Sequence, residues 1–96
     1  PLLSEWLTYM EQYRDSIDDQ TIFIGHSLGA AFALRLLERL EHHISTTFLI
    51  APVWGVMNNE FDPQMTTFTE APYDWESIHG NANSFRIIHS DNDPYV

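Results

Sequence analysis

Ninety-six residues can build one small core but not two domains. Fourteen carboxylates against four arginines and no lysine give a net charge of −10, which excludes a phosphate-neutralising footprint for nucleic acid and disfavours an anionic membrane surface. The absence of cysteine excludes disulfides, zinc–thiolate sites and thiol catalysis, while an apolar fraction of 44% fits a globular chain.

Within residues 2–14, Leu3, Trp6, Leu7 and Met10 fall at helical spacing, with Ser4, Glu5, Thr8, Glu11 and Gln12 off that face. The acidic stretch Asp15 to Gln20 reads as a solvated loop. Thr21-Ile22-Phe23-Ile24-Gly25 is β-branched and aromatic and ends in glycine, the pattern of a buried strand. Ser27 to Glu41 reads as a helix with Leu28, Ala31, Leu34 or Phe32, and Leu37 inward. Its alanines Ala30, Ala31 and Ala33 allow close approach to a sheet. Arg35, Glu38, Arg39 and His42 fall on one polar stripe. Thr46 to Ala51 is a second strand, ended by Pro52, and Phe85 to His89 is a third. Residues 53–83 carry apolar side chains without a clear period, as functional loops and satellite cores both do; Asp74 to Ile78 can form one short helix. Strand, helix and strand joined by short connections predict parallel pairing and an α/β layer architecture. The longest apolar run, Phe48 to Met57, contains Pro52 and Gly55 and is far below a bilayer span. With no signal peptide in view either, the expected location is cytoplasmic.

Gly25-His26-Ser27-Leu28-Gly29 fits G-x-S-x-G, placed where a strand ends and a helix begins. That is the setting of a nucleophile elbow. A serine hydroxyl is a weak nucleophile and must be presented free of competing bonds. A sharp turn holding Ser27 in strained backbone geometry does this, with Gly25 and Gly29 expected where a side chain would strike neighbouring backbone. The helix start aims free N–H groups at the site, and the Leu28 N–H becomes an oxyanion donor. The competing reading makes Ser27 an ordinary helix N-cap. His26 adjoins Ser27 in sequence but is directed elsewhere by the elbow, which makes it structural or pocket-lining.

Ser90-Asp91-Asn92-Asp93-Pro94-Tyr95-Val96 follows the third strand, where an α/β sheet places functional groups. Asp93, before Pro94 and three residues ahead of Val96, fits the acid that orients a catalytic histidine; a plain Asx-Pro turn is the alternative. Trp54, Phe68, Tyr73 and Trp75 are candidates for an apolar substrate pocket, although core packing explains aromatics equally well. His42 and His43 sit together at a helix end, and His79 and His89 stand alone. No metal-binding motif occurs, and no cofactor is expected.

Taken together, these residues resemble the small α/β-hydrolases of the retinoblastoma-binding-protein-nine and YdeN-like serine hydrolase family. The likeness runs from Trp6 through Thr21 to Ala30, Leu49-Ile50-Ala51, Phe68-Thr69, Pro72-Tyr73, Trp75-Glu76 and Ile78 to Ser90-Asp91-Asn92-Asp93-Pro94. It implies the central part of an α/β-hydrolase three-layer sandwich with a mostly parallel sheet. It also implies a Ser-Asp-His triad with Ser27 as nucleophile and Asp93 as acid. The family's first strand, with the second oxyanion donor, would precede Pro1, and its catalytic histidine would follow Val96. Residues 1–96 are therefore expected to be a single domain incomplete at both ends, and inactive alone. Some members carry a Leu-x-Cys-x-Glu retinoblastoma-binding sequence; Asp15-Ser16-Ile17-Asp18-Asp19 at that place lacks all three key residues, so that partner is not expected. The resulting expectation is a serine hydrolase for small ester or amide substrates, with a non-catalytic binding module on the same fold as the alternative.

Overall fold

The structure, a computed structural model, describes residues 2–51 and 62–88. Among these described residues three strands form a parallel sheet in the order β1-β2-β3: β1 Ile22–His26, β2 Ile44–Ile50 and β3 Ala82–Ile88. The pairing rows run Ile24–Phe48–Arg86 and His26–Ile50–Ile88, so all three carboxyl ends lie at one edge of the sheet. This is the mixed α/β architecture with a parallel sheet that the strand–helix–strand pattern predicts.

Helix α2, Leu28–Leu37, packs on β1 and β2. Its small residues Ala30, Ala31 and Ala33 are buried and let it lie close to the sheet, while Leu34 and Leu37 join Ile44, Leu49, Ile78 and Ala82 in the core. The opposite face carries Ile22, Ile24 and His26 of β1, and Ile24 is 70% exposed. Sequence periodicity carries α2 to Glu41, but it ends at Leu37. The Asn81 side-chain amide donates to the carbonyls of Leu37 (2.7 Å) and Leu40 (3.2 Å), satisfying acceptors that a helix end leaves free.

The expected helix over residues 2–14 divides into α1, Leu3–Met10, and a 3-10 stretch, Glu11–Ser16. The first part has a core partner, since the Trp6 ring meets Phe32 and Phe68 edge-on at 5.2 and 4.7 Å. Leu2 offers no side-chain cap; instead the Leu3 N–H donates to Thr67 Oγ1 at 3.0 Å.

Two further helices occupy the segment read as mostly irregular: α3, Asp62–Thr69, and α4, Trp75–Gly80. Asp74 caps α4. Its carboxylate accepts from the Ser77 N–H (3.2 Å) and Ser77 Oγ–H (2.7 Å), and these bonds hold its pKa below the usual aspartate value. β3 starts at Ala82, three residues before the Phe85 expected from propensity, because Ala82 and Ser84 pair with Ile44 and Thr46. Arg35 is the main departure on α2. Helical spacing places it on a solvated stripe, yet it is 3% exposed and bonded to the chain between α3 and α4.

Candidate active site

Ser27 sits between the last residue of β1 and the first of α2, with φ 56° and ψ −118°. That is a sparsely populated region for a residue with a Cβ, and it persists only where surrounding contacts fix it. Here they do. The Ser27 N–H donates to the Ile50 carbonyl at 3.0 Å, and the Ser27 carbonyl accepts from the Ala30 N–H at 3.0 Å. An N-cap serine has extended backbone and bonds its hydroxyl to the helix N–H groups. Ser27 has neither feature: φ is positive and its side chain makes no capping bond. Among the described residues the hydroxyl thus has no capping partner, and it stands at a helix N-terminus. The adjacent Leu28 N–H lies in the first turn, where N–H groups have no partner within the helix.

The two motif glycines differ. A Cβ on Gly25 would strike the Gly29 carbonyl oxygen and come within 2.7 Å of Ala30 Cα, both backbone atoms of the α2 start. A Cβ on Gly29 meets nothing within 4 Å among the described residues, and its φ is not positive. The expectation that both must be glycine thus holds for Gly25 alone. Gly25→Ala should cost about 1–3 kcal/mol, because the helix start must lift. Gly29→Ala should be neutral or stabilising by up to about 1 kcal/mol, from helix propensity. Urea unfolding of the two variants checks this; equal losses would show that helix α2 does not bear on Gly25.

His26 ends β1, exposed and side by side with Ile50, on the sheet face away from α2. No histidine among the described residues hydrogen-bonds to Ser27. His42 Nε2–H donates to the Ile17 carbonyl at 3.0 Å, beyond the far end of α2. His79 lies in α4, between Trp75 and Phe85 (ring centroids 6.4 and 6.0 Å), at the amino end of β3. Phe85 shares a row with Thr47 and Phe23, four residues before Ser27, so the His79 ring beside it stands roughly 13 Å short of Ser27 along the strands. Asp91, Asp93, His89 and Trp54 lie outside the described residues.

The remaining described pocket candidates lie at different points along α2. Phe68 is fully buried between Trp6 and Phe32. Tyr73 stacks under the Arg35 guanidinium at 3.8 Å, on a part of α2 roughly 12 Å from Ser27 at the helical rise. Trp75 packs on Tyr73 and His79 beside it. Phe68 thus packs midway along α2, at Phe32, while Tyr73 lies with Arg35 nearer the far end of that helix and Trp75, 49% exposed, lies beside Tyr73. An open groove of about 370 Å³, lined by Leu7, Met10, Ile17, Leu36 and Leu40 among others, also lies towards that far end. Among the described residues, no cluster of three or more His, Asp or Glu could hold a metal ion, and no helix is long and apolar enough to cross a membrane.

The sequence pattern of the serine hydrolase family matches residues 1–96. The chain is similar to serine hydrolase RBBP9 of Rattus norvegicus, at 30% identity over 93 residues, covering 97% of this chain and 48% of that protein. It is also similar to the protein YdeN of Bacillus subtilis (strain 168), at 26% identity over 96 residues, covering 100% of this chain and 50% of that protein. The chain thus spans about half the length of the curated relatives it matches.

Proposed function

The chain belongs to the serine hydrolase family, and from that premise we propose that the intact protein hydrolyses small esters or amides through an acyl-enzyme on Ser27. The observation that carries this reading is the serine at φ 56° with no capping bond, held at the start of α2. In the proposed reaction a histidine outside residues 1–96 takes the Ser27 Oγ proton as Oγ bonds to the substrate carbonyl carbon. Asp93 accepts a hydrogen bond from that histidine and fixes its tautomer. The Leu28 N–H donates to the oxyanion, together with a second donor from elsewhere in the protein. Collapse of the tetrahedral intermediate expels the alcohol or amine, which leaves with the proton from the histidine. Water then repeats the sequence on the acyl-enzyme.

A fluorophosphonate probe tests the assignment, since the nucleophile displaces its fluoride and keeps the phosphonyl group. In the intact protein the probe should label Ser27 and no other serine. Labelling that persists in Ser27→Ala would overturn the reading, and an unlabelled wild type would favour a binding module on the same fold. Asp93→Asn should lower turnover by orders of magnitude, whereas Asp91→Asn should be mild; the reverse order would move the acid to Asp91. Residues 1–96 alone should show no turnover of p-nitrophenyl acetate.

A further inference from the structure

The groove of about 370 Å³ towards the end of α2 away from Ser27 has two walls. One is α1 with the 3-10 stretch that follows it, and the other is the last turn of α2 with residues 39–42. The floor is aliphatic. Leu7 and Met10 come from the first wall, Leu36 and Leu40 from the second, and Ile17 joins them; all five are half-buried, and no phenyl, phenol or indole ring lines the groove. The rim is charged and exposed. Two of the chain's four arginines stand on it, Arg14 on one wall and Arg39 on the other, against two of its fourteen carboxylates, Glu11 and Glu41. The whole excess of negative charge in this acidic chain therefore lies outside the groove. The two arginines also keep donors to spare. Arg14 pairs with Glu11, but both side chains are more than half exposed, and such pairs are weak. Arg39 donates through Nη1 to the Arg35 carbonyl at 3.2 Å. The carboxylate beside it, Glu38 at 3.7 Å, is already matched by Arg35 at 3.1 Å. Nε and Nη2 of Arg39 have no partner among the described residues. His42 Nε2–H donates to the Ile17 carbonyl and ties the second wall to the floor.

We propose that this groove binds an aliphatic carboxylate, with its chain on the five apolar side chains and its head on Arg39 and Arg14. A floor without rings suits a flexible hydrocarbon chain better than an aromatic ligand, which gains from stacking. A guanidinium meets a carboxylate as a planar fork with two parallel N–H···O bonds, and Nε–H and Nη2–H are the fork that Arg39 has free. The volume falls in the range of roughly 300–1,000 Å³ in which proteins hold small molecules, whereas a stable protein partner covers about 800 Å² on each side. Leu36 lies nine residues beyond Ser27 along α2, roughly 13 Å at the helical rise, so the inference is independent of the role given to Ser27.

Titration of the intact protein with sodium decanoate tests this, read by calorimetry and by NMR of the leucine, isoleucine and methionine methyl groups. One decanoate should bind per chain. The methyls of Leu7, Met10, Ile17, Leu36 and Leu40 should shift, and those of Ile22 and Ile24, on the sheet face away from α2, should not. Decanol and butyrate should each bind about tenfold more weakly, since the first lacks the charged head and the second most of the chain. Arg39→Gln should weaken decanoate about fivefold or more and Arg14→Gln about twofold, because Arg14 is shared with Glu11. Arg86→Gln, at an exposed arginine on β3, should leave the affinity unchanged. All three substitutions are at exposed positions and spare the core. A wild type that binds no decanoate overturns the proposal, and so does binding that Arg39→Gln leaves intact. Equal affinity for decanol overturns it too, since the head would then not be recognised. Shifts confined to Ile22 and Ile24 would mean adsorption to the sheet face, and groove methyls that answer to protein dilution instead of decanoate would mean a contact between copies; either result ends it. Fluorophosphonate labelling of Ser27 enters none of these readouts, so the hydrolase reading and this one fail separately.

Discussion

Replacing Ser27 with alanine in the intact protein should lower kcat/KM by about 10⁴–10⁶-fold, the loss typical when the nucleophile of a triad is removed. Stability should hardly move. Alanine keeps the Cβ that makes φ 56° unfavourable, and Ser27 Oγ makes no capping bond that could be lost. Ser27→Gly should be equally inactive yet more stable, by about 1 kcal/mol, since glycine enters this region without steric cost. Under the proposed assignment the pair separates two contributions of one residue, the hydroxyl's to the chemistry and the strained backbone's to stability. Urea unfolding beside a p-nitrophenyl ester assay measures both. An alanine variant retaining more than a few per cent of wild-type kcat/KM would remove Ser27 from the mechanism. A glycine variant less stable than alanine would mean that the backbone at Ser27 is not strained.

What could be read in the sequence follows from where each residue finds its partners. The elbow is local. Ile22 to Gly25 forms a strand, and the small residues after Ser27 form a helix that can lie close to it, so the site's centre and the parallel α/β layers follow from adjacent residues. Gly25 is explained by Ala30, five positions away. Gly29 looked equivalent by symmetry of the motif, but the strand beneath α2 makes only one side crowded. Helix α3 was missed because Phe68 finds its partners in Trp6 and Phe32, far off in sequence. A cue was present in Asp62-Pro63, a pair common at helix starts. The aromatics at positions 68, 73 and 75 illustrate the limit of composition: ring content does not distinguish a pocket from a core. The positive φ at Ala51 has no sequence signature, since alanine is not one of the residues (glycine, asparagine, aspartate) that favour it.

Arg35 carries the largest stability effect expected in the chain, and periodicity places it wrongly for a definite reason. A helical wheel knows only the helix, whereas apart from Glu38 the partners of Arg35 lie more than thirty positions on. Its Nε–H donates to the Phe68 carbonyl at 2.9 Å, its Nη1 group to both Glu38 oxygens (3.2 and 3.1 Å) and to the Pro72 carbonyl (3.3 Å), and its Nη2 group to the Ala71 carbonyl. The guanidinium face lies 3.8 Å from the Tyr73 ring centroid. Glu38 in turn accepts from the Asp74 N–H at 2.7 Å, so one ion pair fixes the chain between α3 and α4. Arg35→Ala removes the buried ion-pair partner of Glu38, which keeps the Asp74 N–H and a 3.7 Å approach from Arg39, and the donors to three carbonyls, at an expected cost of about 3–5 kcal/mol. Arg35→Lys should recover little, because an ammonium offers no planar fork to several carbonyls and no flat face to Tyr73. Burial also pushes the Tyr73 phenol up to about 12 from its ordinary 10.0. A raised pKa favours the fold while the phenol is neutral in both states, so this contribution is intact below pH 10 and is lost as pH rises from there to about 12. Chemical denaturation of wild type, Arg35→Ala and Arg35→Lys measures the clamp, and turnover per folded molecule separates it from the site. With Ser27 at the other end of α2, the alanine variant should lose stability and keep its kcat. A loss under about 1 kcal/mol, the range of an exposed pair, would mean that water replaces these donors and that Arg35 does not hold the segment.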